Sequence, residues 1–159
     1  MWRWTMIGVV LASLAVSPTG VAAADSVAPQ PDTPCSADVA DAMTWPTGDQ
    51  APLVCTGAKW QSVADPYPIS ERWLSYGPVM TLHGQGRRNP MLESGGWTAS
   101  PRTAESSCAA TQFAAVSGTP TLAPPHTDQG NPGQSLTLEV LPRLFTIEMT
   151  GDCLWQRSP

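Results

Sequence analysis

The chain has 159 residues, with eight cations against thirteen carboxylates and a formal net charge of −5. That acidic balance excludes a whole-molecule electrostatic pull toward nucleic acid or an acidic membrane surface. Seventeen prolines argue against long helices, because each proline in a helix interior costs about 3 kcal/mol.

The first residues read as an export leader. Arg3 supplies a single cation, and residues 7–16 form an uncharged apolar run too short to cross a bilayer as a permanent helix. Pro18 and Gly20 break the run, and Ala22-Ala23-Ala24 supplies the small side chains that a signal peptidase admits, so residues 1–24 are expected to be a signal peptide. An uncleaved anchor is the rival reading, and the short run with its helix-breaking exit speaks against it. No cysteine directly follows the small residues and no arginine pair precedes the run. The expected product is a monomer without a lipid anchor or a stable membrane span. One lysine against seven arginines fits the coding bias of a GC-rich bacterial source.

Residues 25–34 contain three prolines and few side chains worth burying, and are expected to be a flexible linker. Residues 35–159 form the single domain. Thr33 before Pro34 looks like a helix cap, and Val39 with Met43 sits at helical spacing, so a short helix is expected over residues 35–43. Strand character follows. Residues 53–55 and 59–63 are short β-prone pieces on either side of Gly57. Trp73, Ser75 and Gly77 alternate with Arg72, Leu74 and Tyr76, and the run continues to Leu82 with a bulge or edge position expected at Pro78. Residues 113–116 read as a strand starting near Cys108, and residues 117–134 as a long connector. Leu136, Leu138 and Val140 then share one face, as do Phe145, Ile147 and Met149, and Gly151-Asp152 is expected to turn the chain into Cys153-Leu154-Trp155.

Short alternating strands with frequent turn residues predict a mostly β fold, a small disulfide-stabilised β-sandwich or partly open barrel with one short N-terminal helix. The four cysteines, Cys35, Cys55, Cys108 and Cys153, are an even set in an exported chain and read as two disulfides. Of the three pairings available, Cys35 with Cys55 and Cys108 with Cys153 is favoured. The first pair brackets one Pro-rich segment and the second ties an earlier strand to the last. Zinc binding fails on spacing, since no two cysteines form a C-x-x-C half-site.

Chemistry is harder to find. In Thr81-Leu82-His83-Gly84-Gln85-Gly86-Arg87-Arg88-Asn89-Pro90, neither a Gly-Lys-Ser/Thr phosphate loop nor a three-glycine dinucleotide fingerprint is present. The plain reading is a hairpin or loop between residues 79–82 and 91–92, with Gly84 or Gly86 at positive φ. The functional reading is a local site for a carboxylate, phosphate or sulfated sugar, built by Arg87 and Arg88 with His83 nearby. Glu93-Ser94-Gly95-Gly96-Trp97 lacks the leading glycine of a nucleophile elbow, since position 92 is leucine. His126 with Asp128 reads as a solvated loop pair. Glu93 with Glu105, or Glu139 with Glu148, would serve glycoside cleavage only if folding brought them together. No catalytic residue, metal ligand or cofactor is assigned. Five tryptophans follow the leader. Trp73 and Trp155 lie in alternating runs and are expected in the core, whereas Trp45 and Trp97 stand beside Pro or Gly and are better placed for surface contacts. Trp97 therefore joins His83, Arg87 and Arg88 as a candidate ligand-binding residue.

The ending Pro142-Arg143-Leu144-Phe145-Thr146-Ile147-Glu148-Met149-Thr150-Gly151-Asp152-Cys153-Leu154-Trp155 resembles small exported proteins of mycobacteria and related actinobacteria, in many of which a last hairpin carries a Gly-Asp-Cys-aromatic turn. The resemblance covers the leader, the cysteine-bearing chain and this ending. It implies an uncharacterised secreted or cell-envelope protein and hands over no catalytic residue. Two functions stay open: a non-enzymatic binding or structural module that meets a protein, glycan or lipid of the cell envelope, and a small secreted hydrolase with an unrecognised site. Scarcity of groups suited to proton transfer favours the first.

Overall fold

The structure, a computed structural model, describes residues 27–48 and 50–159. The expected signal peptide lies outside them. The fold is mostly β, with nine strands in one open sheet: β1 Met43–Thr44, β2 Leu53–Thr56, β3 Lys59–Ser62, β4 Arg72–His83, β5 Gly95–Pro101, β6 Ala109–Ala114, β7 His126–Gln129, β8 Leu136–Val140 and β9 Leu144–Arg157. The main path runs β3-β2-β1-β4-β9-β5-β8, and β6 pairs with both β9 and β7.

The organising feature is the long antiparallel ribbon of β4 and β9. On its far edge, β9 takes β6 along residues 144–150 and β5 along residues 153–157, so the sheet forks near Gly151. At that point Gly77 (φ 117°) faces Gly151 (φ 92°), and the register shifts before Met80 pairs with Met149. These are backbone angles that L side chains rarely adopt, and they bend the ribbon sharply. Pro78 occupies the bulge, where its missing N–H breaks no ladder bond. A straight strand as long as β4 would hold its ends about 36 Å apart. Instead, Met91 N–H donates to His83 O at 2.8 Å and Met91 O accepts from Ser70 N–H at 2.9 Å, so a single residue ties the two ends together.

The bend turns one sheet into two facing layers. The first halves of β4 and second half of β9, with β1–β3, β5 and β8, cover the rest of the ribbon with β6 and β7. Strands that switch layers through bulges make the corner of such a packing. Between the layers lie Trp73, Trp97 and Trp155, all fully buried, with Leu82, Val140, Leu144, Ile147 and Met149. Gln112 on β6 reaches across this gap: Nε2–H donates to Glu139 O and Oε1 accepts from Leu141 N–H, both at 2.9 Å. Adjacent residues on a strand face opposite ways, so Leu74 leaves this core and joins Val39, Ala42, Leu53, Cys55 and Trp60 in a second cluster.

Two disulfides staple the fold, Cys35–Cys55 and Cys108–Cys153, the pairing favoured from the sequence. They are consistent with an extracellular location. No helix among the described residues is long and apolar enough to cross a membrane.

Several local expectations are corrected. The helix over residues 35–43 does not form. A single 3-10 turn covers Ala37–Val39, and Met43 already pairs in β1. Thr33 Oγ1 donates to Gln30 O rather than capping, and Asp32, Thr33 and Cys35 exchange backbone bonds with residues 58–60. The edge of β3 offers these residues more hydrogen bonds than one short helix would, and it also holds the end of the expected linker. Residues 126–129 of the expected connector are strand β7, an exposed edge that buries almost nothing and so carries no alternating apolar signal. Gly151 and Asp152 do not turn the chain but continue β9. A side chain on Gly151 would collide with the Ser107 carbonyl, because the segment leading to Cys108 crosses directly over it.

Candidate functional site

At one end of the second layer, β4 finishes at His83, β9 begins at Leu144, and β6 finishes at Ala114. The loop that follows β4 is pressed against the start of β9. Gly86 N–H donates to Leu144 O at 2.7 Å, and a Cβ at Gly86 would overlap the Arg143 carbonyl. Gly84 likewise faces the Leu144 side chain. Both glycines are therefore there for close approach. Neither adopts the expected positive φ, which falls to Asn89 at 56°.

This packing fixes Arg87. Its Nη1 lies 2.7 Å from His83 Nε2, and its Cζ stands 4.9 Å above the centre of the Phe145 ring. Arginine has only donors, so His83 Nε2 accepts and the imidazole is neutral, with its proton on Nδ1. Partial burial, helped by the charge of Arg87, holds the His83 pKa below its ordinary value and keeps it in that accepting state. Arg88, next in the loop, is exposed.

A third cation arrives that the sequence reading did not single out. Leu144 N–H donates to Leu141 O at 3.2 Å, closing a turn with Pro142 and Arg143 at its centre, and Arg143 has φ 57°. Glycine or asparagine is the usual occupant of such a position. The Arg143 carbonyl accepts from Ala115 N–H at 3.0 Å. The sequence trace of this position is Pro142, which breaks the alternation between Val140 and Phe145.

Phe145, under Arg87, and Ala115, bonded to the Arg143 carbonyl, belong to an open-sided groove of about 440 Å³ lined by Gly86, Ala115, Thr119, Pro120, Thr121, Leu122 and Phe145. Its outer wall is a folded arm: Ala115 bridges Leu122, Val116 N–H donates to Thr121 O, and Ala123 N–H donates to Ala114 O. Leu122 remains 47% exposed, a large apolar side chain left in water on the groove wall.

Most other arginines are already matched. Arg102 lies 3.3 Å from Asp38 and 3.7 Å from Asp152, and Arg157 lies 3.2 Å from Glu71 and 2.6 Å from Glu93. Arg72 Nη2 donates to Asp38 O. Among the described residues, Arg87, Arg88 and Arg143 enter no ion pair. A second hollow, lined by Asp41, Ile69, Ser70, Glu71, Arg72 and Glu93, carries three carboxylates, two of them paired with Arg157.

Of the four candidate ligand-binding residues, His83, Arg87 and Arg88 share this end of the molecule. Trp97 does not. It is fully buried between the layers, its Nε1–H donating to Glu93 O at 3.0 Å, because Gly95 and Gly96 begin a strand rather than an exposed loop. Trp73 and Trp155 are core residues as expected, and Trp45 is half-buried edge-on to Tyr67. Ser94 Oγ donates to Gln85 Oε1, and His126 pairs with Asp128 at 3.3 Å on the exposed strand β7. Among the described residues, no group of three or more His, Cys, Asp or Glu side chains is arranged to hold a metal ion. No protein-family model matches the chain, and no curated protein or solved structure is similar enough to carry an assignment.

Proposed function

We propose that the protein is a non-enzymatic binding module, exported to the cell envelope or extracellular space, that captures an anionic ligand at the end of the molecule bearing Arg87, Arg88 and Arg143. One observation carries this reading: on an acidic chain, three arginines have no carboxylate partner among the described residues, and of these Arg87 stacks on the groove residue Phe145, Arg88 follows it in the same loop, and Arg143 is held to the groove residue Ala115 through its backbone carbonyl. Arginine in a matched pair is satisfied internally, whereas an unpaired guanidinium offers a planar fork for a carboxylate, phosphate or sulfate. His83 and Phe145 hold Arg87 in place, which lowers the entropy lost on binding. The leader, the cystines and the resemblance to small exported actinobacterial proteins support export, and a protein, glycan or lipid of the envelope is the class of partner.

The test is an amide NMR titration of the protein without residues 1–24 with inorganic phosphate and sulfate, beside the Arg87→Ser/Arg88→Ser variant. Shifts confined to residues 83–88 and 143–145 and absent from the variant are expected. Shifts scattered over the surface, or unchanged in the variant, would overturn the reading.

A further inference from the structure

We infer that the ligand is an amphiphile, a single acyl chain carrying an anionic head, with its chain in the groove against Leu122 and Phe145 and its head at the arginines. The inference rests on the anion-binding reading above and adds the ligand's apolar half. Two independent features meet at Phe145: one face of its ring carries the Arg87 guanidinium, and the residue also lines the apolar groove. A ligand that filled only the cationic side would leave Leu122 in water, and a purely apolar ligand would leave the Arg87 guanidinium beside the groove without an anion. The groove's volume of about 440 Å³ falls in the range of small-molecule sites and suits one chain.

Arg143 supplies the second line of argument. Its φ of 57° is a conformation in which glycine is unstrained and arginine is not. Pro142 and the Ala115 hydrogen bond hold the turn, so the strain persists in the folded chain. A strained residue maintained at a groove is the pattern in which local stability is given up for a contact. The contact here is the third cation. Glycine at this position would relax the turn and remove the charge.

Binding would be followed by isothermal titration below the micelle-forming concentration, with dodecyl phosphate, decyl phosphate, inorganic phosphate and uncharged dodecyl maltoside as probes. Dodecyl phosphate is expected to bind at one site and more tightly than the other three. Two methylenes fewer should weaken binding by up to about fifteenfold, given about fourfold for each methylene buried. Leu122→Asn, a change at a half-exposed side chain, should remove the preference for the longer chain while the phosphate-induced NMR shifts persist. Arg143→Gly should weaken dodecyl phosphate about tenfold, as for one lost charge-assisted contact, in a protein that unfolds no earlier than the parent.

Equal affinity for inorganic and dodecyl phosphate would overturn the amphiphile and leave the anion site standing. Dodecyl maltoside binding as well as dodecyl phosphate, with the arginine variants unaffected, would overturn both readings. No binding by any probe would do the same. An Arg143→Gly variant that is less stable than the parent, or that binds dodecyl phosphate equally well, would remove the second line of argument and with it the role of that cation.

Discussion

Replacing Gln112 by methionine tests whether the two layers are held together by the polar clamp between them. Gln112 is fully buried, and its amide makes two bonds of 2.9 Å to the backbone of the opposite layer, at Glu139 O and Leu141 N–H. Methionine has nearly the same volume and flexibility, so no large cavity results and the cavity term is small. What is lost is the pairing of one carbonyl and one amide. Each group left without a partner costs about 1–3 kcal/mol, and the lower half of that range applies because both bonds lie in partly buried surroundings. The expected loss is about 2–4 kcal/mol, or a fall in Tm of about 8–15 °C for a domain of this size. Urea unfolding followed by tryptophan fluorescence, with cystines intact, measures it. Gln112→Glu is the companion variant. It keeps the acceptor but replaces the donor by an oxygen facing Glu139 O. Burial raises the pKa of such a carboxyl above its unfolded value, so this variant should regain stability as pH falls through the folded pKa, where the proton restores a donor, and level off below the unfolded pKa. A methionine variant within about 0.5 kcal/mol of the parent, with the glutamate variant insensitive to pH, would refute the clamp as an energetic link.

Three other outcomes follow from the structure. Removing Cys108–Cys153 by paired alanine substitutions should cost about 4 kcal/mol and removing Cys35–Cys55 about 3, because the sequence separations are 45 and 20 residues; urea unfolding that ranks them in reverse order would contradict this. Gly151→Ala meets both a φ of 92° and the Ser107 carbonyl, so a loss of about 3–6 kcal/mol is expected; a thermal melt within about 2 °C of the parent would show that the crossing at Gly151 is looser than described. The depressed pKa of His83 means that the unfolded chain takes up its proton first as pH falls. Stability contributed by the neutral ring should therefore be complete above about pH 6.5, decline as pH drops through that value, and level off below the folded pKa. In His83→Gln, whose amide oxygen can still accept from Arg87, the part of the slope between pH 7.5 and 5.5 that belongs to His83 should vanish, as measured by urea midpoints; an unchanged slope would refute the assignment.

Strands that bury one face were legible from their residues. Leu136, Leu138 and Val140, and Ile147 with Met149, alternate because water lies on one side and the core on the other. Pro78 announced its bulge for a covalent reason, and an even set of four cysteines, in a chain whose first residues read as an export leader, announced the cystines. Adjacent arginines in a glycine-bearing loop were visible as a cluster, since charge proximity over one or two residues needs no fold to establish it.

Tertiary structure decided the rest. The six-residue span from β7 to β8 and the exposed strand β7 bury too little to leave a pattern, and the segment at residues 30–35 chose the edge of β3 over a local helix because hydrogen bonds to a distant strand outnumber those of one turn. Trp97 stands beside glycines, which read as a loop until Arg157 and Leu138 pair across it on either side and bury it. The groove is assembled from residues 86, 115, 119–122 and 145, brought together by the bend at Gly77 and Gly151 and the pairing of β6 with β9. Composition and periodicity are local quantities, and they determined the β class, the cross-links and the charge. The meeting of the Arg87 loop, the Arg143 turn and the apolar groove depends on long-range register, which only the folded ribbon supplies.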